Sequence, residues 1–181
     1  DLLIEESTDK AIQLARKCDE LNRNRKILVD GIVAEASAIL ESGGCEIPPF
    51  IFLAQNHWHQ GVIGIVAARM VNKYNRPCAI LTAIRNGDYT SSIRSIEGFS
   101  VISLLDYCSD ILLKYGGHLY AGGFTVKADK LLQLQERVNS YSFDWSKVHN
   151  FNRQIRPEAN LKISDINMKF WETLRILEPY G

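Results

Sequence analysis

The chain has 181 residues, of which 46% are hydrophobic and 23% are charged, proportions typical of a globular protein that buries a core. Lys plus Arg and Asp plus Glu number 21 each, so the formal net charge is zero. This balance excludes a protein that binds nucleic acid through a global basic field. Any nucleic-acid site has to be a local patch.

The cysteines and the hydropathy pattern indicate the compartment. Cys18, Cys45, Cys78 and Cys108 are scattered without a C-x-x-C pair, which argues against a zinc ribbon or a disulfide framework. No apolar run approaches the roughly 18 residues that a membrane span needs, and no signal peptide opens the chain. We expect a cytoplasmic protein with reduced cysteines and no membrane contact, whose two ends are boundaries inside a larger protein.

The first predicted element is a single long helix from residue 8 to about 42. Apolar residues recur there at three- and four-residue steps, as at Leu14, Cys18, Leu21 and Ile32. A helix of this length spans roughly 50 Å at 1.5 Å per residue. Such a length suits a connector between domains, so we assign residues 1–47 as an inter-domain connector helix.

Strand and helix signals alternate over the next hundred residues. Strands are predicted at 50–54, 77–83, 89–94 and 124–127, and helices at 61–74, 101–107 and 129–141. The two glycine pairs 116–117 and 122–123 are predicted to flank a short loop. This alternation predicts an α/β fold: a mixed central sheet of about five strands flanked by helices, over residues 48–143.

The pattern changes after residue 143. Residues 144–154 are polar and are predicted to form a linker. A strand near 155–163 and a helix from 164 or 165 to about 177 follow. We interpret residues 144–181 as a linker and the start of another domain.

The first chemical motif runs from Asn56 to Ala67, at a strand end that feeds a helix. Exposed N–H groups at a helix start favour an anion, and Gly61 and Gly64 permit close approach of the backbone. His57 and His59, two residues apart on a strand, point the same way, as metal ligands do. The alternatives are core packing by Trp58 and Gly64, metal ligation by the histidine pair, and a phosphate or catalytic-cleft role.

Two further motifs supply hydrogen-bond donors. Arg94, between Ser92 and Ser95, has a guanidinium that can fork onto a phosphate while the hydroxyls add donors; the alternative is an edge strand with a solvated arginine. His118 sits among the glycines of the 114–123 segment, where backbone and imidazole can both approach a phosphodiester. A purely structural glycine-rich turn is the alternative there. Neither motif brings the carboxylates that hold catalytic metal ions.

Three ordered segments, residues 58–67, 92–99 and 116–123, closely resemble consecutive motifs of the RecJ exonuclease family, in its DHH-associated domain. The long helix resembles that family's connector, and residues 177–181 resemble the entry to its OB-fold region. Two departures are mild. Ser91 stands where glycine is common, and Ala121-Gly122-Gly123 stands where Ala-Ala-Gly is usual.

The resemblance implies a metal-dependent 5′-to-3′ exonuclease of single-stranded DNA, acting in repair and recombination. It places the manganese or magnesium ligands in a separate DHH domain, so we expect no metal in this chain. Catalytic roles fall on Arg94 and His118, and substrate binding on the residues of the three motifs: Ser92, Ser95, Gly116, Gly117, Gly122, Trp58, His59 and Gly61. Possible partners are single-stranded DNA and, for the parent enzyme, a single-strand-binding protein or a helicase.

Two other functions stay open. One is a related DHH phosphodiesterase acting on nanoRNA or cyclic dinucleotides, which shares the Gly-Gly-His element. The other is a non-catalytic nucleic-acid-binding relative that has lost its metal site.

Overall fold

The computed structural model describes residues 2–42, 44, 46–152 and 160–179. The chain divides into two compact units, Asp1–Phe151 and Asn152–Gly181. Of the cysteines, Cys18, Cys78 and Cys108 are free thiols, and Cys45 lies outside the described residues. Among the described residues no helix combines the length and the apolar character needed to cross a bilayer.

A long first helix, α1 (Thr8–Glu41), opens the first unit, as predicted. Its buried positions are Val29, Ile32, Ala36 and Ser37, all in the second half of the helix. The first half is mostly exposed, including Leu21 at 55%. The apolar stripe predicted along the whole helix therefore packs against the α/β core over its last three turns alone.

The remainder of the first unit alternates between strands and helices. The strands are β1 (Ile51–Ala54), β2 (Cys78–Ala83), β3 (Tyr89–Arg94), β4 (Leu112–Gly117) and β5 (Ala121–Val126). The helices are α2 (Ile63–Tyr74), α3 (Val101–Tyr107) and α4 (Leu131–Ser146). This arrangement confirms the predicted α/β class.

One mixed sheet of five strands, in the order β1-β2-β3-β5-β4, holds the unit together. β1 and β2 are parallel, and the other pairs are antiparallel. A hydrophobic cluster covers each side of the sheet. One joins α1 and α2 to Ile51, Cys78 and Ile80; the other joins α3 and α4 to Leu81, Ile93 and Phe124.

The hairpin of β4 and β5 differs from the prediction. The two glycine pairs, expected to flank a loop, are paired strand residues, with Gly116 opposite Gly123 and Gly117 opposite Gly122. Local sequence could not reveal this, because glycine is depleted in strands and the pairing partner is not encoded locally.

The second unit contains a short 3-10 helix, Ile163–Asp165, and the helix α5 (Met168–Arg175). Asn167 caps α5, its side-chain oxygen accepting from the Phe170 N–H. The expected helix is therefore present but shorter than predicted. The strand expected near 155–163 falls largely outside the described residues.

Candidate nucleic-acid interface

Arg94 and His118 lie on the same face of the sheet. Arg94 pairs with Ala121 of β5, and the His118 N–H donates to the Ala121 carbonyl at 2.7 Å, closing the β4–β5 hairpin. Residues directly opposite one another in neighbouring strands project to the same side. The two backbones are two strand spacings apart, about 10 Å.

The Arg94 guanidinium is half-buried against the start of α2. Its Nη1 donates to Ser92 Oγ at 3.2 Å and to the Ile93 carbonyl at 2.8 Å. A Cβ on Gly64, in the first turn of α2, would lie 3.0 Å from Ser92 Oγ and 3.4 Å from Arg94 Nη2. Because Gly64 has no side chain, the Arg94 guanidinium can pack against the first turn of α2. The first N–H groups of a helix lack intrahelical hydrogen-bond partners.

The helices leave one part of the sheet uncovered. α2 packs on β2 and β3, and α3 packs on β4 and β5 from the opposite side. We call the uncovered surface, together with the adjoining β3 residues at the edge of α2, the open face; Ser92 and Arg94 lie against the start of α2, and Thr125 is buried. Strand register places nine residues on it: Thr90, Ser92, Arg94, Lys114, Gly116, His118, Ala121, Gly123 and Thr125.

The charge of the open face has one sign. It carries Arg94, Lys114 and His118, and the segments β3, β4 and β5 contain neither Asp nor Glu. In the described part of the chain, neither the Lys114 ammonium nor the His118 ring has a hydrogen-bond or ion-pair partner. This local patch exists although the chain as a whole is neutral, and its chemistry suits an anionic ligand.

The segment between β1 and α2 is a turn, so the interpretation of His57 and His59 as a pair of metal ligands on one strand is wrong. His57 Nε2 faces Glu35 Oε2 at 3.0 Å, whereas His59 Nδ1 accepts from the Gly61 N–H at 3.1 Å. A Cβ on Gly61 would lie 3.1 Å from the His59 ring. His59 and Gly61 therefore shape the turn that leads into α2.

Trp58 is only 3% exposed and belongs to the hydrophobic cluster under α1 and α2. Its Nε1 donates to Glu35 Oε2 at 2.9 Å. This burial favours the packing alternative for Trp58 over contact with a ligand.

Glu35 of α1 is a residue that the sequence reasoning missed. Its carboxylate accepts from both Trp58 and His57, and the Trp58 hydrogen bond, followed by that of His57, lowers the pKa of the carboxyl below its ordinary value. A signal was present in the sequence, because Glu35 is an acidic residue within the apolar stripe of α1. The contact ties the long helix to the turn beside the open face.

The glycines and serines of the motifs have different surroundings. A Cβ on Gly122 would lie 2.7 Å from Val101 of α3, and one on Gly117 would lie 2.5 Å from the Ala121 carbonyl oxygen. Packing within the chain thus accounts for both glycines. Ser95 Oγ donates to the Phe99 carbonyl at 2.8 Å, which holds the loop after β3. Gly116 differs, since nothing lies within 4 Å of its Cβ position.

The described residues do not fit a metal centre. No group of three or more His, Cys, Asp or Glu side chains within them is arranged to hold an ion. What the open face offers is donors: a guanidinium, an imidazole, an ammonium and backbone N–H groups.

Comparison with known proteins agrees with this chemistry. The chain is 32% identical over 181 residues to the single-stranded-DNA-specific exonuclease RecJ of Bacillus subtilis and 30% identical to that of Haemophilus influenzae. The two alignments include 99% and 100% of this chain, respectively. The chain spans only 23% and 33% of the length of those two relatives.

The fold is also shared. A crystal structure of RecJ from Thermus thermophilus in complex with Mn²⁺ superimposes on 99% of this chain with a TM-score of 0.82 and 25% identity, over 26% of that protein. Residues 48–142 match the DHHA1 domain family. That match covers more than half of the sequence and contains the whole open face, so the chain belongs to the DHHA1 domain family and is related to the RecJ exonucleases.

Proposed function

We propose that this chain is the substrate-binding part of a metal-dependent 5′-to-3′ single-stranded-DNA exonuclease acting in DNA repair and recombination. The observation that carries the proposal is the row of Arg94, Ala121 and His118 across three neighbouring strands on the open face. The similarity to RecJ exonucleases supports the choice of single-stranded DNA as the ligand.

The chemistry of the two side chains fits a phosphodiester. A guanidinium donates two parallel hydrogen bonds to phosphate oxygens, and its charge persists across the physiological pH range. The imidazole of His118 can donate one more hydrogen bond to the phosphate, from a strand whose backbone is about 10 Å from that of Arg94. Donors held in place before the reaction stabilise the charge that develops on phosphate during hydrolysis.

The divalent metal of such an enzyme has to be bound by residues outside those described here. The Thermus thermophilus RecJ structures contain Mn²⁺ or Mg²⁺. In the proposed enzyme this chain binds and orients the strand opposite that metal. We therefore expect the isolated 181-residue chain to leave single-stranded DNA uncut in manganese.

The first test of the proposal is substitution of the two donors in the full-length protein. Arg94→Ala and His118→Ala are each expected to lower cleavage of single-stranded DNA by one to three orders of magnitude, about the loss seen on removing a transition-state donor. Arg85→Ala, which removes an exposed arginine from the turn before β3, is the matched control and keeps the wild-type rate. Wild-type rates in both site variants overturn the proposal.

Substrate length separates this function from that of a phosphodiesterase of short RNA or cyclic dinucleotides. The proposed enzyme prefers a long 5′-phosphorylated strand. A preference for dinucleotides in the same assay contradicts it, and binding without any cleavage by the full-length protein identifies a non-catalytic relative.

A further inference from the structure

The open face continues past Arg94 and His118 along β5 and ends at a shallow cavity. The cavity has a volume of about 320 Å³ and is lined by side chains and backbone of β3, β4 and β5, among them Thr90, Lys114, Gly116, Gly123 and Thr125. From Ala121 to Thr125 the strand advances about 13 Å. The far end of the cavity, at Lys114 and Thr125, is thus separate from the Arg94–His118 row, whereas its near end, at Gly116 and Gly123, is about 7 Å from that row.

Its floor is backbone without side chains, where Gly116 and Gly123 pair. A Cβ on Gly123 would approach the Ser91 carbonyl oxygen to 2.8 Å, so close strand pairing explains that glycine. Gly116 has no such explanation, since its Cβ position meets nothing within 4 Å and its φ is not positive. A side chain at 116 would stand in the cavity, which suggests that the space is kept for a ligand.

Hydroxyl-bearing side chains also line the cavity, and a hydroxyl can donate to or accept from a polar ligand. Thr125 is one of them. Thr90, its neighbour in the sheet register, lines the cavity beside it.

The charge of the cavity selects an anion. Lys114 lines it without an ion-pair partner among the described residues. Asp88, which precedes β3, already accepts a hydrogen bond from Asn86 Nδ2 at 2.7 Å. The ammonium and the two hydroxyls can bind a phosphate. The surface at the two glycines, which has no side chains, leaves room for a compact group joined to that phosphate, such as a sugar.

We propose that this cavity is a second subsite for the sugar–phosphate backbone of the same DNA strand. Lys114 and the two threonines bind a phosphate, and the strip at Gly116 and Gly123 receives the deoxyribose. The 13 Å offset corresponds to about four nucleotides of a stacked strand, which advances 3.4 Å per nucleotide, or fewer if the strand is extended. The inference rests on the proposed function, because it takes the strand bound at Arg94 and His118 as its ligand.

The experiment measures binding by the full-length protein in EDTA, which prevents cleavage. The ligands are a labelled 5′-phosphorylated strand of about 12 nucleotides, within the usual range of single-strand site sizes, and a 5′-phosphorylated dinucleotide. Lys114→Ala is expected to raise Kd for the long strand by about 3- to 10-fold and to lower its log Kd–log salt slope by about 0.7, the value for one phosphate of a single strand. Its Kd for the dinucleotide stays unchanged.

Gly116→Leu tests the floor without changing the charge. It is expected to weaken long-strand binding at least as much as Lys114→Ala, with an unchanged melting temperature, because its Cβ meets nothing in the chain. Lys130→Ala, which removes an equal charge from the 3-10 helix after β5, is the matched control and binds like the wild type.

The outcomes separate the subsite from the proposed function. If Arg94→Ala weakens binding of both ligands while Lys114→Ala and Gly116→Leu bind the long strand normally, the second subsite is wrong and the proposed function stands. If Arg94→Ala also binds normally, both fail. If Lys114→Ala weakens the dinucleotide as much as the long strand, there is one site and the inference is overturned.

Discussion

Glycines that look alike in the sequence serve different purposes in the β4–β5 hairpin. At Gly117 a Cβ would lie 2.5 Å from the Ala121 carbonyl oxygen and 2.7 Å from Gly122 Cα, both backbone atoms that a rotamer change cannot move. At Gly116, the preceding position, the same atom would enter open space. The fold therefore requires the second glycine of the pair, and the proposed ligand requires the first.

This difference predicts unequal effects of two single-methyl substitutions. Gly117→Ala is expected to lower the free energy of unfolding by about 1–3 kcal/mol, the usual cost of overpacking, because the methyl forces the hairpin strands apart. Gly116→Ala is the matched control and keeps the wild-type stability. Urea denaturation followed by circular dichroism measures both, and equal midpoints for the two variants would contradict the assignment.

The sequence placed Arg94 and His118 together but did not reveal what surrounds them, and their role as ligand donors stays a prediction. Arg94 and His118 were predicted as convergent residues, and register places them on one face. The turn between β1 and α2 was predicted less well, because the partner of His57 and Trp58 is Glu35, some twenty residues earlier. Such a partner depends on helix packing, which no local pattern encodes.

At the scale of elements, Glu35 joins α1 to the turn that begins α2. Its carboxylate accepts from the indole N–H of Trp58, a buried residue, and from the exposed His57. Removing the acceptor leaves the indole N–H of Trp58 without a protein partner; because this hydrogen bond is only partly buried, the cost is expected at the low end for an unpaired donor, about 1 kcal/mol. The contact is thus expected to matter more than the surface pairs elsewhere on α1.

Glu35→Ala is expected to lower the free energy of unfolding by about 1 kcal/mol for that reason. Glu41→Ala is the matched control on the same helix. It removes an exposed partner of Lys73 and Tyr74, and exposed contacts of this kind contribute little to stability. Tryptophan fluorescence in urea measures both variants. Equal losses would show that the Glu35 contact is an ordinary surface pair.

The pH dependence of stability gives an independent test of the same contact. Hydrogen bonds from Trp58 and His57 lower the pKa of Glu35 in the folded state. The ionised carboxylate therefore contributes stability above its unfolded pKa, and this contribution is lost as the pH falls through the lower, folded value. Glu35→Gln, whose amide oxygen still accepts from Trp58, should lose less stability on acidification than the wild type; equal acid sensitivity argues against this role.

The elements themselves were predicted with uneven success. Helices with an apolar periodicity, such as α1 and α2, and strands with continuous apolar runs, such as β2, were predicted within a few residues. β4 was missed because its last two residues are glycines, a residue type that is depleted in strands. Its strand conformation comes from pairing with β5 and from the Tyr115 hydroxyl, which donates to Asp106 of α3 at 3.0 Å.

At the scale of the whole first unit, stability is distributed unevenly along α1. The helix is buried at Val29, Ile32, Ala36 and Ser37, all on its second half. The first half is supported by exposed ion pairs such as Lys17–Glu20 and Asp19–Arg23, each contributing about 0.2–0.5 kcal/mol. A segment of this length without tertiary packing is only marginally helical in water.

In the 181-residue chain, the rate of amide hydrogen exchange should therefore change sharply from the first half of α1 to the second. Amides before about residue 25 are expected to exchange fast, through local opening of the helix. Amides near Ile32 and Ala36 are expected to exchange slowly, because they become exposed only when the whole core unfolds. Mass spectrometry on overlapping peptides of α1 resolves the step. Uniform slow exchange from Thr8 onward would show that the exposed half of α1 is packed against another surface in solution, and that its exposed apolar residues, such as Leu21, are interface residues.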